Sequence, residues 1–234
     1  MEKELEDRII AILAARCYCY QFLQRVFGNE PNEAMVEALT DGQAEEVLGF
    51  FFDEGEETLS AYNDAIEVLL QKKNAGLPYL DDLQNEYTKL FIGPQKLPAP
   101  PWESVYVTRE RMLFQACTLK VRKAYLAHGF IPANYPHEAD DHLAIELDFM
   151  RQLAISASTA FGQHDFEAAH SLLRDQRVFL SEHLLVWIEE FAQNLAEAGK
   201  TEFYPAVAKL ASRFVGIDAT VLDELLGYIQ EDVR

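Results

Sequence analysis

The chain has 234 residues, 49% of them apolar, which suits one large domain or two small ones. Its 39 acidic residues against 20 basic ones give a formal charge of -19. That argues against a nucleic-acid binder or an anionic membrane surface, because both need clustered lysine and arginine. The sign suits a basic partner, such as a peptide bearing Lys or Arg, or serves solubility alone.

The N-terminus MEKELEDRII is charged at once and lacks the basic-then-apolar order of a secretory signal. No stretch approaches the ~20 apolar residues of a membrane span. The expected location is therefore the cytoplasm. Ile9, Ile12, Leu13, Cys17, Tyr20, Leu23 and Phe27 recur at three-to-four spacing and predict a helix over about 3–27. Gly28 and Pro31 stop it. Two short helices are expected over 32–40 and 43–52, divided by Asp41-Gly42. A longer one is expected over about 56–74, and another from Pro78 to Phe91. Between Arg25 and Lys72 there is no Lys or Arg, while twelve acids lie from Glu30 to Glu67. Such a bias reads as a solvated face or as a surface for a basic partner.

Four of the nine prolines fall in the eight residues 94–101, just before Trp102. A helical chain does not need so stiff a loop to fold, and long loops of this kind carry binding function or cap a bundle end. A helix resumes over about 108–128, with Arg109, Arg111, Lys120, Arg122 and Lys123 making it the one locally basic element. After a second irregular stretch with Pro132 and Pro136, a helix starts at Asp140 or Asp141. Residues 165–198 read as a long helix or a broken pair, and two more, 202–215 and 218–231, close the chain. The only strand-like piece is Val105-Tyr106-Val107. The expected fold is all-α: one domain over 1–234, an irregular bundle of about nine to ten helices with a proline-rich loop. Cys17, Cys19 and Cys117 lack metal-ligand spacing and read as buried free thiols.

His137-Glu138-Ala139-Asp140-Asp141-His142, followed by Glu146, is the sharpest polar cluster. His142 and Glu146 lie four apart on one helix face, as metal ligands can. An Asp-His pair can do acid–base work. Equally, Asp140 or Asp141 can cap the helix N-terminus, with His142 in its first turn. There is no phosphate-cradling glycine motif.

Residues 87–106, YTKLFIGP-x3-PAPPWESVY, followed by E-x-x-D-H at 138–142 and ELDFM at 146–150, resemble the TorD/DmsD family, in wording nearest its dimethyl sulfoxide reductase branch. These are cytoplasmic chaperones of molybdenum enzymes. The resemblance implies a non-enzymatic protein without cofactor. It implies binding of the twin-arginine signal peptide and the apo-form of a molybdenum reductase, as a monomer or a helix-exchanged dimer. By the same resemblance the peptide groove involves Tyr87, Leu90, Phe91, Trp102, Tyr106, Arg109, Glu138, Asp141 and His142. One departure stands out: the family's Glu-Pro-x-Asp-His carries Ala139 in place of proline, which loosens the loop. The alternative from the residues alone is a helical metal- or nucleotide-dependent hydrolase built on His137 to His142.

Overall fold

The computed structural model describes residues 3–93, 96–108, 116–133, 135 and 137–232. In chain order they form α1 (Lys3–Gly28), α2 (Glu33–Thr40), α3 (Gln43–Leu48), α4 (Glu57–Asn74) and α5 (Tyr79–Tyr87), which continues into a π turn over Thr88–Ile92. After the proline loop come α6 (Glu103–Val107), α7 (Ala116–Ala127), α8 (Leu143–Gly162) and α9 (Phe166–Glu182). A 3-10 turn over Leu184–Val186, then α10 (Ile188–Ala198) and α11 (Phe203–Asp232), complete the order. No strand occurs among the described residues, as the 3.6-residue periodicity predicts.

Four long helices build the centre. α1 lies along α8, α8 along α9, and α11 is packed by α4, α9 and α10. One hydrophobic cluster runs from Ile9 on α1 to Ile229 on α11. A charged network crosses it. Arg16 is fully buried and donates to Asp218 on α11 at 3.0 Å and to Gln176 on α9 at 2.7 Å. The Tyr20 hydroxyl donates to the same carboxylate. Desolvation opposes the Arg16 charge, but Asp218 outweighs it and raises the guanidinium pKa further.

Several boundaries differ from expectation. The two closing helices are one: α11 passes through Gly216 without a break. An interior glycine costs about 1 kcal/mol, less than is gained by burying Phe214, Val215 and Leu222 on the same face. The 165–198 region is a broken pair, divided at His183. α3 ends at Leu48, because Phe51 and Phe52 fold back into the core through turn hydrogen bonds to the Leu48 carbonyl. The strand-like Val105–Val107 is helical, in a short helix whose Ser104 amide is held by Asp141. Helix α7 is described from Ala116; Arg109 and Arg111, in the first part of the expected helix, lie outside the described residues. The three cysteines are free, but only Cys19 is buried; Cys17 and Cys117 are half-buried. Two positions apart on α1, Cys17 and Cys19 point to different faces. Among the described residues no helix is long and apolar enough to cross a membrane.

Candidate functional site

The proline loop does not hang free. Pro101 and Glu103 flank Trp102 and bond to the chain just before α8. The Leu143 amide donates to the Pro101 carbonyl at 2.8 Å, and the Glu103 amide donates to the Asp141 carbonyl at 3.0 Å. Trp102 and His142 are thereby paired as a single antiparallel bridge. Some forty residues apart in sequence, the two segments face one another directly. Prolines suit this role, because they fix φ and approach the bridge already extended.

Two helix starts are capped at this junction, and neither in the way the local sequence suggests. Asp141 does not cap its own helix. Its Oδ2 accepts from the Ser104 amide at 2.9 Å, so it caps α6 across the junction. That is why residues 103–107 turn helical although their side chains favour a strand. The cap of α8 is His142, whose Nδ1 accepts from the Ala144 amide at 3.1 Å. The lone pair on Nδ1 requires a neutral ring, and burial holds the His142 pKa below its ordinary value against the pull of Glu138 and Asp141.

The outer face of the junction is aromatic and acidic. The Trp102 indole N–H donates to Glu138 Oε1 at 2.9 Å, and the Trp102 and His142 rings meet edge to face at 5.5 Å. The same Glu138 oxygen accepts from the Ala139 amide at 3.0 Å. The departure from proline thus supplies a donor that proline lacks, and this donor orients the carboxylate. Asp140 is turned the other way. It pairs with Arg122 of α7 at 2.7 Å, and its carbonyl accepts from the Tyr125 hydroxyl at 2.9 Å.

Under the junction lies a buried polar layer of which sequence reading singled out only Glu146. Glu103 is bonded to His183 at 2.9 Å, and the Trp187 indole donates to Glu146 at 3.3 Å. All four side chains are within 3% of full burial. Burial, and then the charges of Glu103 and Asp141, push the Glu146 carboxyl well above the usual carboxylate range. One signal was available. His183 and Glu103 sit at helix breaks beside Trp187 and Trp102, where a polar residue in an apolar setting needs a partner.

Of the residues implied by resemblance, Trp102, Glu138 and His142 share the outer face. Asp141 is fully buried as a cap, and Glu138 is left as the outer carboxylate of the pair. Tyr87, Leu90 and Phe91 lie in the core at 7%, 2% and 7% exposure. Phe91 packs against Phe27, Tyr204 and Phe191, and Tyr106 reaches Trp187 at 5.3 Å and Phe191 at 6.4 Å. Tyr87, Leu90 and Phe91 are thus core residues, apart from the outer face that Trp102, Glu138 and His142 share. Arg109 lies outside the described residues.

A hydrolase built on His137 to His142 finds no support. His137 is exposed, Asp140 is held by Arg122, Asp141 and His142 are spent as helix caps, and Glu146 bonds Trp187. Among the described residues no group of three His, Cys, Asp or Glu side chains could hold a metal ion.

Fold and junction together define an all-helical protein with a preformed aromatic and acidic surface at a loop-to-helix contact. The family model described as "Nitrate reductase delta subunit" matches residues 53–193. The chain is 31% identical over 214 residues to "Chaperone protein TorD" of Vibrio cholerae serotype O1 (strain ATCC 39541 / Classical Ogawa 395 / O395), covering 90% of this chain and 93% of that one. It is 28% identical to "Chaperone protein TorD" of Vibrio vulnificus (strain YJ016), over 92% and 98% of the two chains. It is 31% identical to the "Probable Tat proofreading chaperone DmsD" of Haemophilus influenzae, over 81% and 83%. The chain belongs to the TorD/DmsD family of molybdoenzyme maturation chaperones.

Proposed function

We propose that this chaperone binds the twin-arginine signal peptide of a molybdenum-containing oxidoreductase and holds the apo-enzyme until its cofactor is loaded. The site is the outer face of the Trp102–His142 junction. One observation carries the reading: Trp102 and Glu138 are locked to each other at 2.9 Å on the same face. An indole face and a carboxylate, side by side, meet both demands of a guanidinium, a π surface and a charge-assisted hydrogen bond. Because the pair is already oriented, little of its own entropy is lost on binding. The formal charge of -19 favours encounter with a basic leader.

The protein acts by binding rather than by catalysis, in the cytoplasm, where the client is still unexported. It does so as one helical unit, supported by the hydrophobic cluster shared from Ile9 to Ile229, either as a monomer or as a helix-exchanged dimer.

Isothermal titration of the full chain with a synthetic twin-arginine leader tests this. We expect a dissociation constant near micromolar, about -8 kcal/mol, since a disordered leader loses entropy on binding. A twin-lysine leader should bind at least tenfold more weakly, because lysine offers neither the planar fork nor the stacking face. Equal affinity for the two leaders would remove the Trp102–Glu138 pair from the site.

A further inference from the structure

A groove of about 420 Å³ runs between the C-terminal half of α1 and α2. That volume is within the ~300–1,000 Å³ common for ligand sites. Its origin is local. α2 sends only Val36 and Leu39 into the core. The next positions on its inner edge, Ala34 and Ala38, are too short to cover α1. Phe22, Val26 and Leu39 therefore form an apolar floor, flanked by half-buried Tyr18 and Met35. Arg25 is the one cation among the lining residues. Beyond it, the chain carries twelve acids and no Lys or Arg until Lys72.

The end of α1 that borders the groove also borders the junction. α1 meets the start of α8 so closely that a Cβ on Gly28 would lie 2.8 Å from the Ala144 Cβ. The Tyr87 hydroxyl donates to the Phe27 carbonyl at 3.5 Å. Glu30 follows Asn29, a lining residue of the groove, and Glu138 belongs to the junction. Both carboxylates act on Tyr87. Burial first, then the fields of Glu30 and Glu138, push its hydroxyl up to about 12. Tyr87, bonded to the end of α1, thus feels both Glu30, which follows the lining residue Asn29, and Glu138 at the junction.

We propose that the α1–α2 groove is a second subsite, one that takes an uncharged apolar peptide run lying directly after the paired arginines. The inference rests on the leader-binding reading above and adds where the rest of the leader goes. Guanidinium groups are held at the Glu30–Glu138 end by charge-assisted hydrogen bonds. The apolar run lies on Phe22, Val26 and Leu39, as an amphipathic segment lies in a hydrophobic groove. The acidic α2 and α3 beside it offer nothing to a run bearing negative charge. The two subsites on one ligand multiply, so neither half of the leader alone binds as tightly as the whole.

The probe is a synthetic peptide with two adjacent arginines followed by an apolar run of about 12 residues, carrying a photoreactive phenylalanine analogue in mid-run. It is bound to the full chain, irradiated and mapped by mass spectrometry. Cross-links within residues 18–39 are expected. In parallel, Ala38→Trp fills the groove from its half-exposed edge. It should weaken the whole peptide at least tenfold, yet leave a peptide truncated after the arginines unchanged, with the helical circular dichroism intact. Cross-links confined to other surfaces, or an Ala38→Trp variant that binds both peptides as the wild type does, overturn the groove and leave leader binding standing. A wild-type chain that binds no whole peptide by calorimetry overturns leader binding and the groove with it.

Discussion

Glu146 and His142 are four residues apart on one helix, and their environments drive their protons in opposite directions. Glu146 keeps a proton in the folded chain that it has lost in the unfolded one, once pH exceeds the ordinary carboxyl value of about 4.3. Its contribution to stability therefore declines as pH rises from there towards its raised folded value. Glu146→Gln cannot ionise and retains an acceptor for the Trp187 indole. Its melting temperature should fall less than the wild type's between about pH 5 and pH 8, a comparison that differential scanning calorimetry makes directly. His142 has the opposite sign. Its folded pKa is depressed, so the stability from its cap on Ala144 is present above its ordinary value of about 6.5 and is lost as pH falls below it. The arrangement is most comfortable where the ring is neutral and the carboxyl has not yet been forced to ionise.

At the scale of elements, the junction separates two roles that lie close together in sequence. Asp141 holds α6 in place, whereas Glu138 faces outward beside Trp102. Asp141→Ala should cost about 1–2 kcal/mol, the upper range for a lost N-cap, because the Ser104 amide it leaves behind is buried. A urea titration reads that as a lower midpoint with an unchanged slope. Glu138→Gln should leave the midpoint in place and weaken the leader in calorimetry several-fold. Loss of binding in Asp141→Ala with none in Glu138→Gln would mean that the shape of the loop, and not its outward charge, carries recognition.

Across the whole molecule, the buried Arg16–Asp218–Gln176 network ties α1, α9 and α11 at the centre of the bundle. Removing one member leaves an uncompensated charge, so Asp218→Ala should destabilise the fold by roughly 3–5 kcal/mol. Replacing both partners by apolar side chains, Arg16→Met with Asp218→Leu, should recover most of that loss, because the desolvation cost of both charges disappears with them. Chemical denaturation of the two variants side by side checks this. Failure of the double variant to recover would show that the network fixes the helix arrangement beyond its charge balance.

Much of this was legible in the chain itself, for definite reasons. Helix periodicity is local, so Ile9 to Phe27 marks α1 within a residue of its observed end, and the proline loop stands out wherever it is placed. The motif pair 87–106 and 138–150 carried the family. Caps and charge partners were not legible, because they are contacts between segments distant in sequence. Asp141 reads locally as the cap of the helix that follows it, yet it caps α6. Tyr87, Leu90 and Phe91 are implied by resemblance as part of a groove, yet they lie in the core, Phe91 among Phe27, Tyr204 and Phe191. Arg16 and Asp218 each break an apolar stripe, which signals a buried partner without saying which one. Side-chain pattern along the chain decides which residues must leave water. Only packing decides which of them then meet, because that depends on the geometry of all the helices at once.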